Sequence, residues 1–255
     1  MKVSIITVAF NSAATISDTL ASIKAQTHAD IQHIVVDGGS TDGTVELVRQ
    51  FGRSDAVLVS EPDRGIYDAM NKGLRLARGE LIGCLNADDV FADARVVADV
   101  AALAEAGGAQ AVYGDLDYVS QTDLGQVVRR WRSGAFTPSR LAFGWMPPHP
   151  TLYFRRSLLP AVGEFDTSFR IAADYDYVLR LLRQPGLKVS YLQRVLVKMR
   201  LGGASNRSLR AILLKSREDL RALRQNQAGG LLTLLCKNLR KLPQFLGSDS
   251  NYDRA

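Results

Sequence analysis

Over the first hundred residues, short apolar runs alternate with stretches whose apolar positions recur every three or four residues. Val3–Phe10 is an apolar run of eight and predicts a buried strand rather than a secretory segment. Ser12–Gln26 places Ile16, Leu20 and Ile23 on one face, which predicts a helix. Ile31–Asp37 predicts the next strand, and Thr44–Phe51 a helix carrying Val45, Val48 and Phe51. Ala56–Ser60 and Glu80–Leu85 read as strands flanking a helix over Ile66–Ala77. This βαβα rhythm predicts a doubly wound, mostly parallel sheet, in which ligands bind at the carboxyl ends of strands. The polar clusters fall at those ends: Asn11 after the first strand, Asp37-Gly38-Gly39-Ser40 after the second, Asn86-Ala87-Asp88-Asp89 after the fourth.

Beyond about residue 110 the rhythm loosens. Ala111–Val119 and Gln126–Trp131 predict a β-ribbon. Pro147-Pro148-His149-Pro150 predicts a rigid loop entering a strand at Thr151–Arg155. A helix is expected from near Asp174 to Arg183, then strands at Lys188–Tyr191 and Val195–Arg200. Two closing helices are expected at Ser208–Gln225 and Gly230–Phe245, parted by Ala228-Gly229-Gly230. The division this implies is a domain over residues 1–205, with a first half at 1–110 and a second at 111–205. Residues 206–255 would form a basic, amphipathic helical extension.

Composition refines the picture at two points. Hydrophobic residues make up 46% and charged residues 23%, an ordinary globular balance. The net charge of +6 is unevenly placed: Arg207–Lys241 holds nine Lys/Arg against Glu218 and Asp219, so residues 1–206 are about neutral. A neutral main domain argues against general nucleic-acid binding. The basic extension carries Leu213, Leu214, Leu220, Leu223, Leu231, Leu232, Leu235 and Leu239. It suits either an anionic membrane surface or packing on the domain or a partner. The two cysteines, Cys84 and Cys236, sit far apart in apolar contexts and suit a reducing cytoplasm. No stretch approaches the roughly 20 apolar residues of a spanning helix.

Two adjacent carboxylates at a strand end, Asp88-Asp89, repel unless a cation is present, and hard oxygen ligands suit Mg²⁺ or Mn²⁺ with phosphate oxygens completing the shell. Helix capping near Ala94 is the alternative. Asp37 is suited to accept hydrogen bonds from a base or ribose, or to form an Asx turn. The loop lacks the spacing of either standard phosphate-binding motif.

Taken in order, Ile5–Asn11, Val36–Thr44, Glu61–Gly73 and Leu85–Asp89 resemble the family 2 glycosyltransferases of the GT-A fold, in the flavour of bacterial exopolysaccharide and colanic-acid-type enzymes. The resemblance covers roughly residues 1–205. It implies a sugar-nucleotide donor, UDP by default, and a glycan or lipid-linked acceptor for cell-surface polysaccharide. It places Thr7, Phe10 and Asp37 at the base and ribose, Arg64 in a loop holding the nucleotide, and Asp88 and Asp89 at the metal, with Asp89 the direct ligand. Asn86 replaces the family's first aspartate. Ile171–Asp176 resembles the family's Glu-Asp element, so Asp174 is implied as general base, although Ala173 stands where many relatives carry Glu. A helix N-cap is the alternative for Asp174. His149 is implied near the acceptor or diphosphate. Arg200, opening Arg200–Asn206, is a candidate lid residue pairing with phosphate, or part of a turn.

The expected reaction is metal-dependent displacement with inversion, in the cytoplasm or peripherally on the cytoplasmic face of the inner membrane. A sugar-nucleotide nucleotidyltransferase is one rival, but Asn11-Ser12-Ala13-Ala14 offers no glycine-rich basic loop. A non-catalytic nucleotide-sugar-binding adaptor is the other.

Overall fold

The computed structural model describes residues 1–202 and 209–240. In chain order, β1 (Val3–Ala9), α1 (Ile16–Lys24), β2 (Ile31–Asp37), α2 (Thr44–Phe51), β3 (Val57–Ser60), α3 (Ile66–Leu76) and β4 (Leu81–Cys84) realise the expected alternation. Next come β5 (Asp89–Phe91), α4 (Val96–Ala106), β6 (Ala111–Val119), β7 (Val127–Trp131), β8 (Tyr153–Arg155), α5 (Leu159–Val162) and α6 (Ala173–Leu182). The chain continues with β9 (Val189–Arg200), α7 (Leu209–Gln225) and α8 (Leu231–Leu239). Short 3₁₀ turns at Pro138–Phe143 and His149–Thr151 join the ribbon to β8.

One sheet runs β3-β2-β1-β4-β8-β6-β9-β5, with β7 added to β6. Strands β3, β2, β1 and β4 are parallel, β8 is antiparallel to both neighbours, β6 and β9 are parallel, and β5 runs against β9. Every residue of β1 is buried, as are all of β2 but Gln32, the pattern of strands covered by helices on both faces. Gly73 lets α3 lie directly on β1, because a Cβ there would collide with Ile6.

The structure differs from the sequence reading in three places. Asp89, expected at the end of the fourth strand, instead opens the short strand β5 and pairs with Met199. The two strands expected around Leu192–Arg194 are one strand, β9. Its register against β6 slips on both sides of Asp115, and Leu196 packs over Gly114. Thr151 belongs to a 3₁₀ turn, so β8 is shorter than expected.

The basic helices are not a separate body. Ala222, Leu223 and Ala228 are buried in the same core as Tyr67, Trp145 and Tyr177. Leu213, Leu231, Leu232, Leu235 and Leu239 remain exposed, as does Ile212. No described helix is long and apolar enough to cross a membrane. Cys84 and Cys236 are free thiols, and burial pushes the Cys84 thiol up to about 12.

Candidate active site

The carboxyl ends of β1 and β2 carry two loops stitched to each other. Asn11 takes a left-handed backbone (φ 47°), a conformation asparagine tolerates. Its backbone N–H donates to Ser40 Oγ at 2.7 Å, and its Oδ1 accepts from Thr41 N at 3.0 Å. Ala13 N donates to Asp42 Oδ2 at 2.9 Å. Asp37 is fully buried and accepts from Gly39 N, Ser40 N, the Ser40 hydroxyl and the Ser60 hydroxyl. Burial pushes its carboxyl up, but these donors outweigh burial and hold it below its ordinary value. The carboxylate thus builds the turn it ends, the Asx-turn alternative in its fullest form. Gly38 carries no Cβ because Asp63 occupies that space.

At the end of β4, Asp88 is half-buried and Asp89 is fully buried. Asp89 Oδ1 has no hydrogen-bond partner, nor does the buried Asn86 Oδ1, while Asp89 Oδ2 lies 3.5 Å from Asn86 Nδ2. Burial raises the Asp88 carboxyl. Burial, and then the neighbouring Asp88 charge, raise Asp89 further. Unmatched oxygens beside two crowded carboxylates are what a cation would satisfy. Among the described residues no group of three or more His, Cys, Asp or Glu could hold a metal alone. Two carboxylates suit a Mg²⁺ or Mn²⁺ whose shell is completed by water and phosphate oxygens, so the residues fit such an ion.

Asp174 lies in the first turn of α6 and lines a cavity of about 380 Å³ that also reaches Asn86, Tyr118 and His149. It does not cap the helix from outside: the N-cap position is Ala172. Its Oδ1 accepts from Tyr175 N at 2.8 Å and lies 3.5 Å from the Tyr67 hydroxyl. Tyr118 lines the same cavity, with Arg129 stacked 3.6 Å over its ring. Burial raises its hydroxyl, Arg129 pulls it back down, and Asp89 and Asp174 add smaller upward pulls. His149 stacks edge-on against Phe165, 5.6 Å between centroids. Burial lowers its imidazole below the ordinary value, against the upward pull of Asp174. Asp176, by contrast, is structural: it is buried, pairs with Arg180 and accepts from Asn226.

Two residues that sequence reasoning did not single out hold the Asp174 turn in place. The Tyr67 hydroxyl donates to Ile171 O at 2.6 Å. Glu218 of α7 accepts from the backbone N–H groups of Arg170, Ile171 and Ala172 at 2.9, 2.8 and 2.9 Å. A lone Glu in a basic helix was the available signal. Lys237 of α8 pairs with Asp219 at 2.7 Å and sits 3.1 Å from the centre of the Tyr175 ring.

The remaining expected site residues are dispersed or already engaged. Thr7 is buried inside β1, its hydroxyl 3.1 Å from His33 Nε2. Phe10 stands 63% exposed just past β1. Arg64 is largely exposed, with Asp68 3.4 Å from its guanidinium. Arg200 is 7% exposed and committed: it pairs with Asp18 and donates to Asp88 O at 2.9 Å and Gln121 O at 3.2 Å. It therefore clamps the acidic loop to α1 and β9. The rest of the expected lid, beyond Gly202, lies outside the described residues.

Solved structures match this architecture. The mannosyltransferase PcManGT from Pyrobaculum calidifontis, in complex with GDP-Man and Mn²⁺, aligns with a TM-score of 0.65 at 20% identity over 96% of this chain and 73% of its own. S. aureus TarS 1–349 in complex with UDP-GlcNAc aligns with a TM-score of 0.64 at 18% identity, over 89% and 65%. Against a longer S. aureus TarS chain, this one covers 42% of the length. The fold is thereby that of the GT-A glycosyltransferases. Residues 4–171 match the Glycosyl transferase family 2 model, and the chain belongs to that family. A PGL/p-HBAD biosynthesis glycosyltransferase of Mycobacterium bovis is 35% identical over 208 residues, 80% of this chain and 78% of that one. An uncharacterized glycosyltransferase of Mycobacterium tuberculosis is 36% identical over 181 residues, covering 70% and 68%.

Proposed function

We propose that this family 2 glycosyltransferase moves a sugar from a nucleoside-diphosphate donor, UDP by default, to a hydroxyl of a glycan or lipid-linked acceptor, with inversion. One observation carries the reading: a single cavity reaches both Asn86, in the Asp88-Asp89 loop, and Asp174, with Tyr118 and His149 on the same lining. The stitched loops after β1 and β2 offer the nucleoside its place; Phe10 and Arg64 are exposed to meet it, while the fully buried Thr7 and Asp37 would act by shaping the strand and the loop. The neighbours solved with UDP-GlcNAc and GDP-Man support a nucleotide-sugar donor, and the Mn²⁺ in one of them supports a metal.

Asp88 and Asp89 would hold Mg²⁺ or Mn²⁺, which neutralises charge on the departing diphosphate. Asp89, expected as the direct ligand, is fully buried, so Asp88 would present the more accessible carboxylate and Asp89 back it with its unmatched oxygen. Asp174 takes the proton of the acceptor hydroxyl as that oxygen bonds to the anomeric carbon and the bond to the diphosphate breaks. His149 stays neutral beside Asp174, a donor or acceptor for the reacting groups. Arg200 holds the Asp88 backbone, which fixes the acidic loop. The exposed leucines of α8 would suit a seat on the inner face of a membrane, where a lipid-linked acceptor would be met.

The test is nucleoside diphosphate release from a panel of sugar nucleotides. Asp174→Asn and Asp89→Ala should each lose most turnover while melting like the parent. Full turnover by either well-folded variant would sink the role given to that residue.

A further inference from the structure

The cavity around Asp174 has walls of different chemistry. Asn86 forms one, beside the Asp88-Asp89 pair. Another is built by Arg140, Tyr175, Lys215, Lys237 and Arg240, drawn from the Pro138–Phe143 turn, α6, α7 and α8. These groups are tied closely to the reacting centre. Lys237 Nζ lies 3.1 Å from the Tyr175 ring centre, and Tyr175 follows Asp174 in the chain. Gly144 presses so near Lys237 that an added Cβ would come within 2.5 Å of Lys237 Cβ. Arg140 reaches back over Trp145 at 5.4 Å.

The charges on this wall are not balanced. Asp219 matches Lys237. Among the described residues, Arg140, Lys215 and Arg240 have no carboxylate within ion-pair distance. Arg140 donates only to Ala135 O. Arg140 and Lys215 are half-buried and Arg240 is exposed. Three like charges lining one concave surface repel each other. An oxyanion held among them relieves that repulsion through charge-assisted hydrogen bonds.

We propose that this wall is an anion subsite, binding a phosphate ester or carboxylate carried by the acceptor. The proposal rests on the glycosyl-transfer reading, since that reading puts the donor diphosphate at the Asp88-Asp89 loop and the acceptor hydroxyl at Asp174. An acceptor so placed extends its remaining groups toward α7 and α8. Those helices then select the acceptor.

Calorimetry on the full chain, saturated with UDP and Mg²⁺, tests this with three probes: sn-glycerol 3-phosphate, glucuronate and neutral glucose. At least one anion should bind, and glucose should not. Binding should weaken at high salt, and by tenfold or more in Lys215→Met/Arg240→Met. Lys215→Met alone serves if the double variant melts early. Glycerol phosphate binding alone identifies a phosphate ester, and glucuronate alone a carboxylate. Glucose binding as tightly as the anions, no anion binding, or unchanged affinity in the variants overturns the subsite. UDP binding is measured first on the same sample, and the probes are repeated without UDP, so failure of the donor reading is seen separately.

Discussion

The Lys237 ammonium lies 2.7 Å from Asp219 Oδ1 with both side chains almost wholly buried, 6% and 2% exposed. This pair fastens α8 to α7 directly beneath Tyr175. Removing one partner of a buried pair strands the other charge, typically at a cost of about 3–5 kcal/mol. Lys237→Met should therefore lower the denaturation midpoint sharply. Lys237→Met/Asp219→Leu should recover most of the loss, because two apolar side chains leave no stranded charge. Urea unfolding of the four members of the cycle checks this, and a double variant as unstable as the single one would contradict it.

Glu218 is expected to link stability to turnover. Its carboxylate satisfies three backbone donors that have no other acceptor in the turn preceding Asp174. A buried donor left unmade costs about 1–3 kcal/mol, and water entering the vacated space recovers part of it, so Glu218→Ala should lose about 2–4 kcal/mol in all. The turn carrying the proposed base then loses its fixed position, so kcat should fall about tenfold or more. Donor KM should change less than kcat, because Glu218 bonds the turn before Asp174 and not the stitched loops after β1 and β2. Steady-state kinetics beside thermal melts separate the two effects. Equal losses in kcat and in donor affinity would show that Glu218 merely holds the fold.

Donor and metal should stabilise the protein together. Ligand at about 100 times its Kd adds about 2.7 kcal/mol, and about 2–4 °C per kcal/mol is typical at this chain length, so UDP with Mn²⁺ should raise the Tm by about 5–10 °C. Chelation should abolish most of that rise. Asp88→Asn should do the same without lowering the Tm of the unliganded protein, since burial already disfavours that charge. Differential scanning fluorimetry across nucleoside diphosphates reads base preference in the same experiment. An undiminished UDP shift in chelator would remove the metal from the reading.

The sheet was legible in the sequence because its central strands are continuous apolar runs whose period admits one assignment. Ile31–Asp37 and Thr44–Phe51 emerge with the boundaries expected from pattern alone. The acidic loop, Asp37 and Asp174 were legible as short polar clusters at strand and helix ends. What was not legible depends on distant pairing. Asp89 becomes a strand residue only because Met199 lies opposite, more than a hundred positions away. Arg200 is taken up by Asp18 and by the Asp88 carbonyl, neither foreseeable from its neighbours in the chain. Glu218 entered the sequence reading only as a charge set against nine Lys/Arg; its role follows from α7 packing on the turn before α6. The leucine rows were ambiguous for a physical reason: Leu223 turns into the core while Leu231 and Leu235 do not.

His33 makes stability depend on pH in the mildly acidic range. It is fully buried in β2, with Thr7 3.1 Å from Nε2 and no partner at Nδ1. Burial, reinforced by the Arg53 charge, lowers its imidazole from 6.5 to about 4. Above pH 6.5 the ring is neutral in folded and unfolded chains alike, and the shift costs nothing. Below 6.5 the unfolded chain binds a proton that the folded one refuses, so stability falls as pH drops. The fall ends near pH 4, where the folded ring is protonated too. At about 1.4 kcal/mol per unit, the window amounts to about 3 kcal/mol. Carboxylates held low, such as Asp37, lose their contribution at still more acidic pH. His33→Gln removes the titration and keeps a polar group facing Thr7. Its unfolding free energy should decline less between pH 6.5 and 4.5 than that of the parent, with the curves parallel above pH 7. Parallel curves throughout would mean that His33 is protonated as readily in the folded protein as in the unfolded chain.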